Sequence, residues 1–193
     1  MIGMAHSDVT KKALADSLKK LLRQRGIEKI TVEEICAESM VSRRSFYRYF
    51  VDKFDLLTWT YNYDFCRMVE VRPDKTIWDY YPEILRYIHA DPQFFKNAFS
   101  YTGQNSFRYF CFEKLYPLIL NDFEHYFDNE REARFAVQRY VYAAFDGYVW
   151  WLSQPEIMPW EEYMELSMRI IRTSAEGIVR SFKTFDEKQE NRA

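Results

Sequence analysis

The stretch from Thr31 to Lys53, TVEEICAESMVSRRSFYRYFVDK, constrains the fold of this chain more than any other. It reads as two short helices joined by a tight turn. Thr31 is a good N-cap, and Glu34 stands three residues on, which together spell a capping box. Val32, Ile35 and Cys36 give the first helix a short apolar face. Ser39-Met40-Val41 forms the turn, and Ser42 caps the second helix with Arg43 and Arg44 in its first turn. Phe46 and Phe50, four apart, share one face that should pack inward. Arg44, Tyr47 and Arg48 fall on the opposite side, with Arg43 at the exposed tip.

A capped pair of helices whose second member carries arginines and tyrosines outward is the layout of a DNA-reading helix-turn-helix. Arginine pairs bidentately with guanine edges in the major groove, and tyrosine hydroxyls bond phosphates. An ordinary solvated helix would also be basic, since charge runs are usually solvated faces. The caps, the turn length and the FYRYF block separate the two readings. The candidate DNA-contacting residues are Thr31, Ser42, Arg43, Arg44, Ser45, Tyr47, Arg48, Tyr49 and Lys53. The arginines are expected to read or approach bases, while Thr31, Tyr47, Tyr49 and Lys53 position the backbone. Lys53 stands at the start of the next helix, behind an Asp52 cap, where a lysine opposes the helix dipole. A phosphate at that helix N-terminus would account for it.

The segment VSRRSFYRYFVDKFDLL resembles the signature of the TetR (tetracycline-repressor) family of transcription regulators. The matching positions are Val41-Ser42, Ser45, the Phe46-Tyr47-Arg48-Tyr49-Phe50 block and Lys53, within a segment of 17 of the 193 residues. The resemblance implies a DNA contact for Lys53, a homodimer and an effector-responsive body. One position departs from the pattern. The family often has glycine in the turn where this chain has Met40, and methionine tolerates a positive φ poorly. A slightly rebuilt turn, with Met40 tucked between the helices, is expected.

Charge supports a division of the chain. Residues 1–50 hold ten Lys/Arg against six Asp/Glu, a surplus of +4, and residues 51–193 hold seventeen against twenty-three, a balance of −6. A basic first quarter suits a module that displaces counterions from phosphates, and the acidic remainder should face away from DNA. No run of about eighteen apolar residues exists, so no transmembrane span is expected, and the N-terminus lacks the apolar stretch of a signal peptide. Cys36, Cys66 and Cys111 are odd in number and widely spaced, which argues for buried small hydrophobes in a reducing cytoplasm. No metal site and no cofactor are indicated. The histidines His6, His89 and His125 fit no catalytic or zinc spacing, and phosphate-cradling glycine motifs are absent, so an enzyme is not expected.

Only five glycines and six prolines punctuate the chain, and no period-two strand pattern persists. The expected class is all-α: a three-helix reader followed by a larger helical effector and dimerisation domain. The boundaries are 1–52 for the reader, 53–185 for the body and 186–193 for a polar tail. The first helix should run from Val9 to Arg25, striped by Ala13, Leu14, Leu18, Leu21 and Leu22, with Gly26 as its C-cap. Asp52 should cap a helix reaching about Val71, and further helices are expected at roughly 80–90, 92–101, 104–127, 130–153 and 159–184. Asp91-Pro92 reads as an N-cap followed by proline at the first helical position. Pro117 should kink or break its helix.

Thirty-six aromatic residues occur, and only four lie within 1–50. They serve either a large aromatic core or a cavity for an apolar or planar effector. The last two long helices look like an interface between copies. Tyr140, Ala143, Ala144, Gly147 and Trp151 on the first, with Met164, Ile171 and Ala175 on the second, are the candidate dimer residues. The combination SRRSFYRYFVDKFDLLTW and AAFDGYVWWLSQPEIMPWEE is similar to the subgroup that includes the dihydroxyacetone-kinase (DhaS-like) regulators, some of which act through a partner protein. The expected function is a cytoplasmic, homodimeric regulator, more a repressor than an activator. It would read a palindromic double-stranded DNA operator and be switched by a small apolar or aromatic effector, with no membrane partner. The alternative is a helical interaction module, or an activator controlled by a partner protein.

Overall fold

The computed structural model describes residues 6–64, 72, 74–103, 106–123 and 129–174, and every regular element among them is helical. The chain divides into two compact units, 1–157 and 158–193. The boundary expected between residues 52 and 53 lies inside the first unit, and the polar tail lies outside the described residues.

The first unit contains α1 (His6–Leu22), a 3-10 turn (Ile27–Lys29), α2 (Val32–Ser39), α3 (Arg43–Tyr49), α4 (Lys53–Asp64), α5 (Ile77–Ala90), α6 (Pro92–Ser100), α7 (Phe107–Phe123) and α8 (Glu130–Trp151). In the second unit a helix spans 160–174, with the Pro159 carbonyl accepting from the Tyr163 N–H at 3.0 Å. Several helix starts follow from side-chain caps. The Asp52 carboxylate accepts from the N–H groups of Phe54 and Asp55 at 2.8 and 2.9 Å, Thr76 and Asp79 form a capping box, and Asn129 accepts from Glu132 N–H at 3.1 Å.

α1, α2 and α3 close over a small aliphatic core. Leu14, Leu18 and Leu22 of α1 meet Ile27, Ile30, Ile35 and Phe46, all almost fully buried. Phe50, just past α3, is buried as well and touches Trp59 of α4 edge-on at 5.9 Å. The body is packed around Phe99 of α6. Its ring contacts Phe95 of the same helix, Phe107 of α7, and Phe145 and Tyr148 of α8, with centroids 4.9–6.1 Å apart. Such ring pairs add about 0.5–1.5 kcal/mol each beyond the area they bury. These aromatics are therefore core.

One expectation about local structure is corrected, and two others are narrowed. α1 ends at Leu22, and Gly26 is no left-handed C-cap: its φ of −63° and ψ of 154° start the 3-10 turn instead. α7 runs through Pro117 as one element, so of the kink or break expected there the break does not occur. Asp91 is the N-cap residue of α6 and Pro92 its first helical residue, as expected, but the Asp91 carboxylate is turned to Arg23 of α1 instead of bonding the helix N–H groups. The expected extension of α4 to Val71, and Cys66, lie outside the described residues. Cys36 and Cys111 are buried free thiols, and burial pushes the Cys36 thiol up.

Candidate nucleic-acid interface

The reading pair is built locally. The Thr31 hydroxyl accepts from Glu34 N–H at 3.2 Å, while the Glu34 carboxylate accepts from Thr31 N–H at 2.8 Å and from its hydroxyl at 3.0 Å. Backbone donation at this box, from Thr31 first, holds the Glu34 carboxyl below its ordinary value. At the start of α3, the Ser42 hydroxyl accepts from Ser45 N–H at 3.2 Å and lies 3.1 Å from the Ser45 hydroxyl. The hydroxyls of Thr31 and Ser42 are thus engaged in capping, and that of Ser45 is bonded to Ser42.

Between the helices, Met40 takes φ 55° and ψ 28°. Its N–H donates to the Ala37 carbonyl and that of Val41 to the Cys36 carbonyl at 3.1 Å, the paired bonds of a Schellman ending. The turn is therefore not rebuilt to spare a non-glycine residue. Met40 is the one non-glycine residue with positive φ among the described residues, and it is 94% exposed rather than tucked between the helices. The geometry of the turn prevails because the buried faces of α2 and α3 fix it.

The cations of the reader sort into two groups. Lys20 pairs with Glu38, Arg25 with Glu34 and Arg23 with Asp91. Arg43 and Arg44 are exposed and make no ion pair among the described residues. Tyr47 stands beside them, 52% exposed, its ring edge-on to the buried Phe46 at 5.3 Å. Arg48 is directed sideways: its guanidinium donates to the Tyr49 hydroxyl at 2.6 Å and lies 4.7 Å from the Tyr49 ring centroid. Lys11 of α1 lies 5.7 Å from the same ring. The Lys11–Tyr49–Arg48 cluster was not foreseen, because it joins residues distant in sequence.

Lys53 departs from expectation. Its ammonium donates to the carbonyls of Ile27 (2.8 Å), Glu28 (3.2 Å) and Ile30 (2.7 Å). Those carbonyls end the 3-10 turn and carry the negative end of its dipole, so a cation is favoured there. Local stability does explain this lysine: the relevant dipole belongs to a neighbouring helical turn, not to α4. Burial pushes the Lys53 amine below its ordinary value, against the opposing pull of Glu28, Asp52 and Glu34.

The dimer candidates divide likewise. Tyr140 and Ala143 are exposed on α8, and Ala144 and Gly147 are half-buried. Trp151 is fully buried, its ring stacked on His89 of α5 at 5.6 Å and 9°. It belongs to the interior, and its neighbour Trp150 is the outward one at 58% exposure. Adjacent residues on a helix differ by about 100° in direction, so only one of the two can face out. In the second unit Met164 is half-buried and Ile171 exposed; Ala175 lies outside the described residues.

Among the described residues no helix is long and apolar enough to cross a membrane, and no cluster of three His, Cys, Asp or Glu is placed to hold a metal ion.

Comparison with known proteins agrees with this anatomy. A model of bacterial regulatory proteins of the tetR family matches residues 14–58, and a model described as a transcriptional regulator C-terminal region matches residues 75–173. The chain is 27% identical over 99 residues to the HTH-type dhaKLM operon transcriptional activator DhaS of Lactococcus lactis, a match covering 51% of this chain. It spans about half (53%) of the length of that curated relative. Two solved structures share the fold, each at 20% identity over 86% of this chain. One is the dihydroxyacetone kinase operon activator DhaS, with TM-score 0.56 and 96% of that chain covered. The other is a TetR transcriptional regulator from Streptococcus agalactiae, with TM-score 0.65 and 94% covered. With one family model over the helix-turn-helix and a second over about half the chain beyond it, the chain belongs to the TetR family of bacterial transcription regulators.

Proposed function

We propose that this protein is a homodimer that reads a two-fold-symmetric DNA operator through α3. Arg43 and Arg44 approach base edges, and Tyr47, Tyr49 and Arg48 position the backbone. The observation that carries the reading is the sorting of charge. Lys20, Arg23 and Arg25 are neutralised by carboxylates, whereas Arg43 and Arg44 are exposed beside Tyr47 with no ion pair among the described residues. Selection of bound DNA from a random pool by the purified protein tests it. Recovered sites should be palindromic, and Arg44→Ala should relax preference at one position per half-site at a cost of about 1–3 kcal/mol. Recovery of no preferred sequence would overturn the reading.

Dimerisation is assigned to open apolar helix faces. On α8, Ala136, Tyr140, Ala143, Gly147 and Trp150 recur at alternating spacings of four and three, all exposed or half-buried. The helix over 160–174 offers Met164 and Ile171 in the same way. Small residues at 143, 144 and 147 permit close approach of a second helix, and two-fold dimers match paired half-sites. Gly147→Leu should yield monomer on sedimentation, and an unchanged dimer would place the interface elsewhere.

The signal read by the body is assigned to a small, mostly apolar or aromatic molecule. In support, the Tyr116 hydroxyl is buried on α7 with no hydrogen-bond partner among the described residues, which suits a polar anchor for a ligand. A thermal-shift screen of such ligands tests this, with Tyr116→Phe expected to abolish the shift. A second reading, activation instead of repression, is favoured by the relative and by one of the solved structures, both of them operon activators. A reporter placed behind the selected operator separates the two: deletion of the gene raises expression for a repressor and lowers it for an activator.

A further inference from the structure

The first turn of α4 is fastened on two sides. An ammonium has three N–H donors and no acceptor, and the three carbonyls of Ile27, Glu28 and Ile30 take all of them. The Phe54 ring lies 5.4 Å from the same nitrogen and stacks on Tyr101, beyond α6, at 5.1 Å and 24°. Asp52 caps the turn from below. Lys53 therefore ties α4 to the connection between α1 and α2, and the next residue ties α4 to the body. For the Lys53 nitrogen to reach a DNA phosphate, it would have to abandon three bonds, two of them shorter than 3 Å, and leave the Ile27 carbonyl with the Ile30 N–H alone.

We propose that Lys53 is a positioning residue for DNA reading rather than a phosphate contact: it locks the connection before α2 to the start of α4, and so sets the attitude at which α2 and α3 are held. Its loss changes how well α3 is aimed and leaves the number of neutralised phosphates unaltered. This rests on the operator reading above only in the affinity arm of the test.

The affinity arm compares the full-length protein with Lys53→Met across a salt series, on operator and on random DNA. The expected result is an operator affinity lower by about tenfold, as for loss of one charge-assisted hydrogen-bond cluster. Random-sequence binding should be unchanged, and log K against log salt should keep the slope of the unaltered protein. A slope reduced by about 0.9, the signature of one lost phosphate contact, would overturn the proposal. So would an operator affinity equal to that of the unaltered protein. The second arm needs neither a variant nor DNA. An amine-acylating reagent is applied to the native protein and modification is read by mass spectrometry. Lys53 should resist while the exposed Lys29 reacts; acylation of Lys53 at the rate of Lys29 would overturn the proposal. This arm decides the matter if Lys53→Met fails to fold, and it stands or falls independently of whether an operator exists.

Discussion

Replacing Met40 by glycine should make the protein more stable. The residue sits at φ 55° and ψ 28°, where the β-carbon of an L-residue crowds its own backbone, at a cost of about 1–2 kcal/mol. Glycine removes that cost. Against it stands the greater freedom of glycine in the unfolded chain, about 0.4–1 kcal/mol. No packing is lost, because the side chain is 94% exposed. The balance is a gain of roughly 0.5–1 kcal/mol, which for a chain of this size corresponds to about 1–4 °C in Tm. Equilibrium urea unfolding followed by circular dichroism measures the free energy directly, and calorimetry gives the temperature. Met40→Ala is the control: it shortens the side chain but keeps the β-carbon, so it should stay within about 0.5 kcal/mol of the natural protein. The reasoning fails if glycine is neutral or destabilising, or if alanine gains as much as glycine, since strain at the β-carbon would then not be the source.

The Arg23–Asp91 pair, with Nε 3.0 Å from one carboxylate oxygen and Nη2 2.6 Å from the other, should show a coupling of about 0.5–1 kcal/mol in a double-mutant cycle on unfolding; its exposure keeps the figure near that of surface pairs. Phe99→Ala removes the ring at the centre of the body and should destabilise by about 3–5 kcal/mol in the same urea assay, with any loss under 1 kcal/mol contradicting the packing described. Glu34 is held below its ordinary value in the folded state, so its contribution is full above the unfolded carboxyl pKa and fades as pH falls through the lowered folded one. Glu34→Gln should therefore narrow the stability difference between neutral and acid solution, and an unaltered acid limb would exclude the capping box as its source.

What could be read from the sequence was local. The Thr31–Glu34 box, the Ser42 cap and the inward pair Phe46 and Phe50 depend on residues at most four apart, and the structure has them as expected. What could not be read depends on residues far apart or on helical phase. Lys53 finds its partners more than twenty positions upstream, among backbone carbonyls that leave no mark in a side-chain pattern. Asp91 before a proline looks like a cap, and only the approach of α1 turns it to Arg23. Trp150 and Trp151 are identical letters side by side, and the contact with His89 decides which one is buried. Met40 differs for another reason: the buried faces of α2 and α3 and the backbone bonds of the helix ending together outweigh the discomfort of a single residue.

The union of α1 with α6 bears on inheritance. Arg23 clasps Asp91, and the Asn97 amide donates to the Leu22 carbonyl at 2.6 Å, one of the last carbonyls of α1. α6, for its part, has no side-chain cap of its own, since Asp91 is occupied elsewhere. A recombination event that joined this reader to the body of a relative at the α3–α4 boundary would keep the whole of α3 and still separate 22 and 23 from 91 and 97. The chimaera would inherit a guanidinium without its carboxylate at one end and an uncapped helix at the other. Exchange of operator preference by grafting thus has to carry positions 23, 91 and 97 as one set, or be confined to the outward face of α3, where Arg43, Arg44 and Tyr47 can be replaced without disturbing the seam.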